Sequence, residues 1–349
     1  MSQKIIFSNN VCGELDQLLK VCNYNKVFLL TDENTHIHCT KLLAGSESLT
    51  EAEGIEIKAS DKNKTIDSVV HVWKELSDKG ATRNSCLVTV GGGMATDLGG
   101  FAASTFKRGI DFINIPTTLL AMVDASVGGK TGFNFNGLKN EIGVFNEAKA
   151  VIVDTDFLKT LDSENIASGY AEMLKHSLIS DEKMWAQHIC FDLNNPDYTL
   201  LLDMIERNVG VKERIVTEDP HEKGIRKALN FGHTFGHAFE SFALSSGRPI
   251  LHGYAVAYGI ICELYLSTVI LGFPTDKLHQ TVRFIKENYG QFYITCNDYD
   301  RLIELMQHDK KNSGTEINFT LLGNIGDIHI NENASKELIN EAFDFYREA

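Results

Sequence analysis

An α/β N-terminal domain with a Rossmann-like parallel sheet, followed by a mainly α-helical C-terminal domain, is the fold class that this sequence predicts. Three observations carry it. Short apolar runs alternate with helical patterns up to about residue 160, and strand signals nearly vanish beyond that point. The chain, at 349 residues, also exceeds the usual single core of about 100–200 residues. The expected division is residues 1–160 and 161–349.

In chain order the predicted strands are "KVFLL" (Lys26–Leu30), "GIEIK" (Gly54–Lys58), "CLVTV" (Cys86–Val90), "DFINI" (Asp111–Ile115) and "AVIVD" (Ala150–Asp154), with a helical stretch at Ile66–Leu76. Continuous apolar strands separated by helices belong to a parallel sheet covered on both faces. Long amphipathic segments then follow at Ile166–Ile189, Leu200–Val216, Arg226–Leu244, Tyr254–Ile270, Leu278–Tyr289 and Arg301–His308. "NFTLLGNIGDIHI" (Asn318–Ile330) predicts a late hairpin, and a last helix starts near Ser335. Tyr254–Phe273 is apolar enough to be mistaken for a membrane span but carries Glu263 near its middle. A charge at mid-bilayer is costly, so a buried helix is expected.

The chain has 33 Lys and Arg against 47 Asp and Glu, a net charge of −14. That balance argues against general nucleic-acid or anionic-membrane binding, because phosphate attracts positive surfaces. Any phosphate chemistry must rest on a local basic cluster. Seven scattered cysteines without a Cys-x-x-Cys pair fit reduced thiols, and "MSQKIIFSNN" lacks the apolar core of an export signal. A cytoplasmic location is the expectation.

Gly91, Gly92 and Gly93 directly follow a predicted strand and precede a helix of small residues. Free amides at such a helix start bind anions, and glycine lets the backbone come close, so a dinucleotide pyrophosphate is a natural occupant. Asp32 and Asn34 stand at the end of the first predicted strand, where open α/β sheets usually meet a ribose. Between Thr105 and Asn140, Lys107, Arg108, Lys130 and Lys139 face only Asp111 and Asp124 in charge. Lysines set among glycines, with Asn140 adjacent, look like ligands for a phosphate or carboxylate, or else form a solvated loop.

Metal-ligand types cluster in the second half. Glu172, Lys175 and His176 share a helix face by their i, i+3 and i+4 spacing; His233 and His237 stack in the same way in "NFGHTFGHAFE", and His252 opens another helix. Three protein ligands with one open position is the catalytic-zinc pattern, and the candidates number more than three.

Taken together, these segments resemble the 3-dehydroquinate synthase family of sugar-phosphate cyclases. The resemblance runs from about Asp32 to Lys311 through "GGGMATDLGGFAAS", "RGIDFINIPTTLLAMVDASVGGKTGFNFNGLKNEIGVF", "GYAEMLKH", "RKALNFGHTFGHAFE", "LHGYAVAYG" and "DKKNSG". It implies an NAD-binding N-terminal domain and a helical metal-binding C-terminal domain. It implies that Glu172, His233 and His252 hold Zn2+, with Co2+ as a possible substitute, and that His237 moves a proton. NAD contacts are implied for Asp32, Asn34, Asp61, Lys64, Gly93, Met94, Ala95, Thr96, Asp97, Thr117, Thr118, Lys130, Lys139, Phe157, Leu158, Lys159 and Thr160. Substrate contacts are implied for Arg108, Asp124, Lys130, Lys139, Asn140, Lys175, Lys212, Arg226, Asn230 and one of Lys310 or Lys311.

The implied substrate is a phosphorylated sugar acid, 3-deoxy-D-arabino-heptulosonate 7-phosphate, converted to 3-dehydroquinate and phosphate. The implied assembly is a homodimer in which the arginine matching Arg108 can serve the neighbouring subunit. Asp61 departs from the glutamate common in the family's ribose-contacting loop. The rival readings are a sister cyclase making a valiolone, a deoxy-inosose or an aminated dehydroquinate, and a metal-dependent polyol dehydrogenase. Lys212, Arg226, Asn230 and "DKK" keep the dehydroquinate pattern, and a polyol needs no phosphate clamp.

Overall fold

Strand Ser85–Gly91 is buried at every position, as an unbroken apolar run in the middle of a sheet requires. In this computed structural model, which describes residues 3–136, 138–307 and 317–349, it belongs to a six-stranded sheet. The strands of the first half are β1 (Lys4–Phe7), β2 (Lys26–Asp32), β3 (Glu53–Ile57), β4 (Ser85–Gly91), β5 (Asp111–Pro116), β6 (Lys130–Phe135), β7 (Leu138–Phe145) and β8 (Ala150–Val153). The sheet order is β1-β8-β5-β4-β2-β3, and every pairing in it is parallel. Helices α1 (Val11–Cys22), α2 (Glu33–Cys39), α3 (Ile66–Asp78) and α4 (Gly93–Thr105) connect these strands.

The chain runs from β2 out to the edge at β3 and returns as β4 on the other side of β2. The carboxyl ends of β2 and β4 therefore flank a topological switch point, the usual ligand position in such sheets. Asp32 closes β2 and Gly91 closes β4.

Two compact units result, one of Met1–Asp162 with Asp197–Val209, the other of Ser163–Pro196 with Gly210–Ala349. Asp197–Val209, grouped by its helical pattern with the second domain, counts instead with the first. Thr155 Oγ1 donates to the Tyr198 carbonyl at 3.3 Å, and Lys159 Nζ lies 5.8 Å from the Tyr198 ring centre, which ties this segment to the turn after β8.

The second unit holds α5 (Ser163–Leu178), α6 (Glu182–Ile189), the latter part of α7 (Tyr198–Glu218), α8 (His233–Ser245), α9 (His252–Leu271), α10 (Thr275–Tyr289), α11 (Tyr299–Gln307), β9 (Asn318–Asn324), β10 (Asp327–Asn333) and α12 (Lys336–Glu348). β9 and β10 form the expected antiparallel hairpin. α9 is long and apolar enough to cross a membrane, yet 67% of its most apolar window is buried inside the protein. It packs against α5, α8, α10, α12 and β9 as a core helix.

Two helical segments differ from expectation, and three strands, β1, β6 and β7, were not expected. Ile166–Ile189 is two helices, because Asp181 accepts from the Met184 amide at 2.9 Å and caps a new one. Arg226–Leu244 is a 3-10 turn (Ile225–Asn230) and then α8, divided at Gly232, whose φ is +79°. β1 escaped notice because its four residues are only partly buried and carry no strong alternation. Finally, the lysine- and glycine-rich stretch is no open loop: β6 and β7 pair antiparallel with Gly132 opposite Gly143. A Cβ on Gly132 would lie 3.0 Å from Gly143 Cα, so these glycines serve strand approach rather than a ligand.

Candidate active site

In the first unit, α4 begins at Gly93 with Gly92 as its N-cap and no side chain capping its first-turn amides. Those amides keep their capacity for an anion. A Cβ on Gly91 would lie 2.5 Å from Ala95 Cβ and 3.6 Å from Asp32 Oδ2, so only glycine lets the turn fold this tightly beside the end of β2. The Thr117 amide donates to the Gly91 carbonyl at 3.0 Å, and Thr118 Oγ1 accepts from the Ala121 amide at 3.2 Å. Asp32 has a local duty as well: its Oδ1 accepts from the Asn34 and Thr35 amides at 2.9 and 3.0 Å, capping α2.

Lys64 is 3% exposed and donates to Asp97 Oδ2 and Asn140 Oδ1, both at 2.5 Å. Asn140 sits at φ +49°, held by its amide on Asn134 Oδ1 at 2.9 Å. Asp61 accepts from Asn134 Nδ2 on both its carbonyl (3.1 Å) and its carboxylate (3.3 Å), and lies 3.7 Å from Lys139 Nζ. The loop before α3, the first turn of α4 and the β6–β7 hairpin thus form one polar network. Lys130 lines a water-sized cavity of about 10 Å³ with Thr96, Asp97 and Thr131.

Arg108 belongs elsewhere. With Arg83 and Lys107 it lines a concavity of about 440 Å³, and both Lys107 and Arg108 have positive φ, +51° and +70°. Asp124 lies on a π-helical turn, Ala121–Ala125, and is half-buried. Phe157 and Leu158 are fully buried, which leaves only their main chain for a ligand. Lys159 pairs with Asp156 at 2.5 Å, and Thr160 Oγ1 donates to the Phe157 carbonyl at 2.7 Å.

The second unit gathers the metal candidates. Glu172, Lys175 and His176 are all buried on α5 (0%, 1% and 0% exposed), and Lys175 Nζ donates to Glu172 Oε2. The other oxygen, Oε1, is buried without a hydrogen bond and faces His233 Nε2 at 3.3 Å and His252 Nε2 at 3.5 Å. His233 Nδ1 lies 3.0 Å from the Phe231 carbonyl, and His252 Nδ1 lies 3.1 Å from Glu240 Oε2. Because each Nδ1 meets an oxygen acceptor, it carries the proton, and each Nε2 presents a lone pair to Glu172. Three lone pairs converging in a buried place repel one another unless a cation lies among them, so these donors fit a metal ion. Their ligand atoms all lie within 4.8 Å of one another.

The electrostatics agree with this. Burial alone would raise the Glu172 carboxyl, but the Lys175 ammonium and the His233 and His252 rings hold it well below the usual range. Burial would lower His252, but the hydrogen bonds and charges of Glu172 and Glu240 push it up to about 10. The His237 ring lies 5.3 Å from that of His233 and 6.0 Å from that of His252, beside the cluster and outside the converging set.

Arg226 is 2% exposed in the 3-10 turn, where its Nη1 donates to the Pro220 carbonyl at 2.7 Å. Asp219 gathers the amides of Lys223, Gly224 and Arg226 at 3.0, 2.6 and 3.1 Å, which lowers its own pKa. Asn230 Nδ2 donates to Glu222 Oε1 at 3.3 Å, and Lys212 is buried on α7. Lys310, named with Lys311 from the sequence, lies outside the described residues.

Two carboxylates were missed as site residues. Glu240 lies seven residues after His233, two turns along the same helix face, and that spacing was its only signal. Glu263 entered the sequence argument only as a charge unfit for a membrane; it accepts from the Gly232, Thr234 and Phe235 amides at 2.6, 3.0 and 3.4 Å.

The chain matches the family profiles 3-dehydroquinate synthase N-terminal over residues 54–168 and 3-dehydroquinate synthase C-terminal over residues 169–312. A 3-dehydroquinate synthase of Parabacteroides distasonis is 54% identical over 347 residues, covering 99% of this chain and 98% of that protein. A solved 2-deoxy-scyllo-inosose synthase, complexed with carbaglucose-6-phosphate, NAD+ and Co2+, has a TM-score of 0.85 at 23% identity, covering 99% of this chain and 96% of that one. The 2-epi-5-epi-valiolone synthase of Streptomyces hygroscopicus subsp. jinggangensis, with NAD+ and Zn2+ bound, has 0.83 at 23% identity, covering 100% and 97%. At these identities the likeness to the two solved structures is one of fold, and it bears out the parallel-sheet domain followed by a helical one.

Proposed function

The chain belongs to the 3-dehydroquinate synthase family, and from that premise we propose how its residues share the conversion of 3-deoxy-D-arabino-heptulosonate 7-phosphate to 3-dehydroquinate and phosphate. The substrate must lose phosphate and form a carbocycle although the proton to be removed is not acidic. Transient oxidation of a neighbouring hydroxyl to a ketone acidifies that proton, phosphate leaves by elimination, the ketone is reduced again, the sugar ring opens to free its carbonyl, and an intramolecular aldol step closes the carbocycle. When bound, NAD supplies a reversible hydride acceptor, and a divalent metal, Zn2+ or Co2+, supplies a Lewis acid for the oxygen being oxidised.

The observation that carries the assignment is the convergence of Glu172 Oε1, His233 Nε2 and His252 Nε2. These three would hold the metal, and Glu240 orients His252. His237, next to them, takes the hydroxyl proton on its imidazole. Lys175 neutralises Glu172 and offers further donors to substrate. Lys212 and Arg226 bind the substrate carboxylate. Asn230 is a further substrate contact, as is one of Lys310 or Lys311, both of which lie outside the described residues. Lys130, Asn140 and Arg108 bind the phosphate, the last from the neighbouring subunit, and Lys139 and Asp124 are further substrate contacts.

NAD would be held by the first unit. The first-turn amides of Gly93, Met94 and Ala95, with Thr96 and Asp97 beside them, suit its pyrophosphate, and Asp32 with Asn34 at the switch point suits a ribose. Asp61, Lys64, Thr117, Thr118 and the Phe157–Thr160 turn complete the cradle. Residues 1–160 as the NAD-binding domain and 161–349 as the metal- and substrate-binding domain is the corresponding division of labour.

We also propose a cytoplasmic homodimer that engages neither nucleic acid nor membrane. Exposed Phe135, Leu138, Ile142 and Phe145 on the β6–β7 hairpin support association, and the separate concavity around Arg108 supports service to the neighbouring subunit. The deciding assay supplies the heptulosonate phosphate, a divalent metal and NAD at less than stoichiometric amount. Phosphate release with 3-dehydroquinate formation and no net NADH is expected. Net NADH from polyols without phosphate release would point to a polyol dehydrogenase instead.

A further inference from the structure

Glu263 is the one acid within the apolar helix α9, and it is 0% exposed. A carboxylate in such surroundings is strongly unfavourable unless fully hydrogen-bonded. Its partners are backbone amides at the start of α8: Oε2 accepts from Gly232 at 2.6 Å, and Oε1 accepts from Thr234 at 3.0 Å and Phe235 at 3.4 Å. α8 has no side chain of its own as a cap, so a carboxylate from α9 meets both the orphan donors and the positive end of the helix dipole.

The location matters more than the cap. The first residue of α8 is His233, and its Nδ1 donates to the carbonyl of Phe231, one residue before the turn that Glu263 grips. The same turn is fixed sterically: Gly232 has φ +79°, and a Cβ there would meet Ile260 Cγ1 at 2.6 Å. The first residue of α9 is His252. One buried carboxylate therefore ties the backbone that aims one imidazole to the helix that carries the other.

We propose that Glu263 is a positioning residue of the metal centre, which fixes the direction and tautomer of His233 through the Phe231–Gly232 turn. The proposal rests on the assignment of Glu172, His233 and His252 as the metal ligands. The test is a Zn2+ titration of metal-stripped protein against a chromophoric chelator, with the visible absorption of the Co2+-loaded protein and the melting temperature measured in parallel.

Glu263→Gln is expected to weaken Zn2+ binding by about tenfold or more and to alter the Co2+ band, as loss of a ligand-orienting partner does. Glu263→Asp, which keeps the charge but reaches fewer amides, is expected to fold and to show a smaller loss of the same kind. Ile261→Val serves as a control on the same helix; it lowers the melting temperature and leaves Zn2+ affinity and the Co2+ band unchanged. If both Glu263 variants melt lower yet bind Zn2+ with unchanged affinity and spectrum, Glu263 is a structural cap only and the proposal fails. His233→Ala in the same titration must lose Zn2+; if it binds normally, the ligand assignment fails instead, whatever the Glu263 variants do.

Discussion

His252 Nδ1 donates a hydrogen bond to Glu240 Oε2 at 3.1 Å, and its other nitrogen, Nε2, faces Glu172. A ligand histidine needs such a partner, since the acceptor selects the tautomer and stops the ring from rotating. Glu240→Gln should therefore weaken Zn2+ binding by about 10–100-fold with little change in global stability. Equilibrium dialysis with zinc analysis decides it, and unchanged affinity would remove Glu240 from the site.

The two histidines of α8 should separate by function although they stack on one face. His233→Ala is expected to lose metal and activity together. His237→Ala is expected to retain metal and lose turnover by about 10²–10⁴-fold, the usual contribution of a general acid or base. Metal content and kcat measured on both variants test this; equal metal loss would refute the division.

Helices α8 and α9 touch backbone to backbone at Gly259, where a Cβ would lie 2.7 Å from the Gly236 amide nitrogen and 3.0 Å from Gly232 C. Main chain cannot yield as a side chain can. Gly259→Ala should cost about 1–3 kcal/mol in urea unfolding. Gly210→Ala, with nothing within 4 Å of the new Cβ in the exposed interior of α7, should stabilise by about 0.5–1 kcal/mol. Equal effects at the two positions would contradict the packing described.

Asp219 has a pKa below its ordinary value, held there chiefly by the Gly224 amide, with burial opposing and the Lys223 and Arg226 amides assisting. A depressed folded-state pKa gives a contribution that is present above the unfolded value of about 3.9 and lost as pH falls through the lower folded one. The stability gap between wild type and Asp219→Asn should then be constant above about pH 5 and shrink toward lower pH. Melting temperatures from pH 7 downward give the result, and a gap that widens in acid would reverse the sign. The same substitution is expected to raise KM, because Asp219 shapes the turn that presents Arg226.

Much of this was legible in residue order. The parallel sheet followed from unbroken apolar runs such as Cys86–Val90, which only a doubly covered strand tolerates, and α9 was read as buried because of Glu263. The strand-to-helix turn at Gly91–Gly93 and the placement of Glu172, His233, His237 and His252 in helices were legible too, because helical periodicity and such turns are local properties. What sequence spacing alone could not do was rank the histidines. His233 and His237 are equivalent by periodicity, and only family resemblance separated them beforehand.

Tertiary structure decided what depends on residues far apart in the chain. The hairpin β6–β7 arises from Gly132 meeting Gly143, and Lys64, Asp97 and Asn140 become one network through contacts spanning 33 and 76 positions. The amide of Gly232, at the break before α8, finds its acceptor in a carboxylate 31 residues later. Glu240 acquires its meaning from His252, 12 positions on and on another helix. Sequence thus determined most of the long helices and the buried parallel strands, since these rest on local pattern. Which side chains aim at one point was set by close helix approach and buried hydrogen bonds, whose partners are brought together only when the core packs.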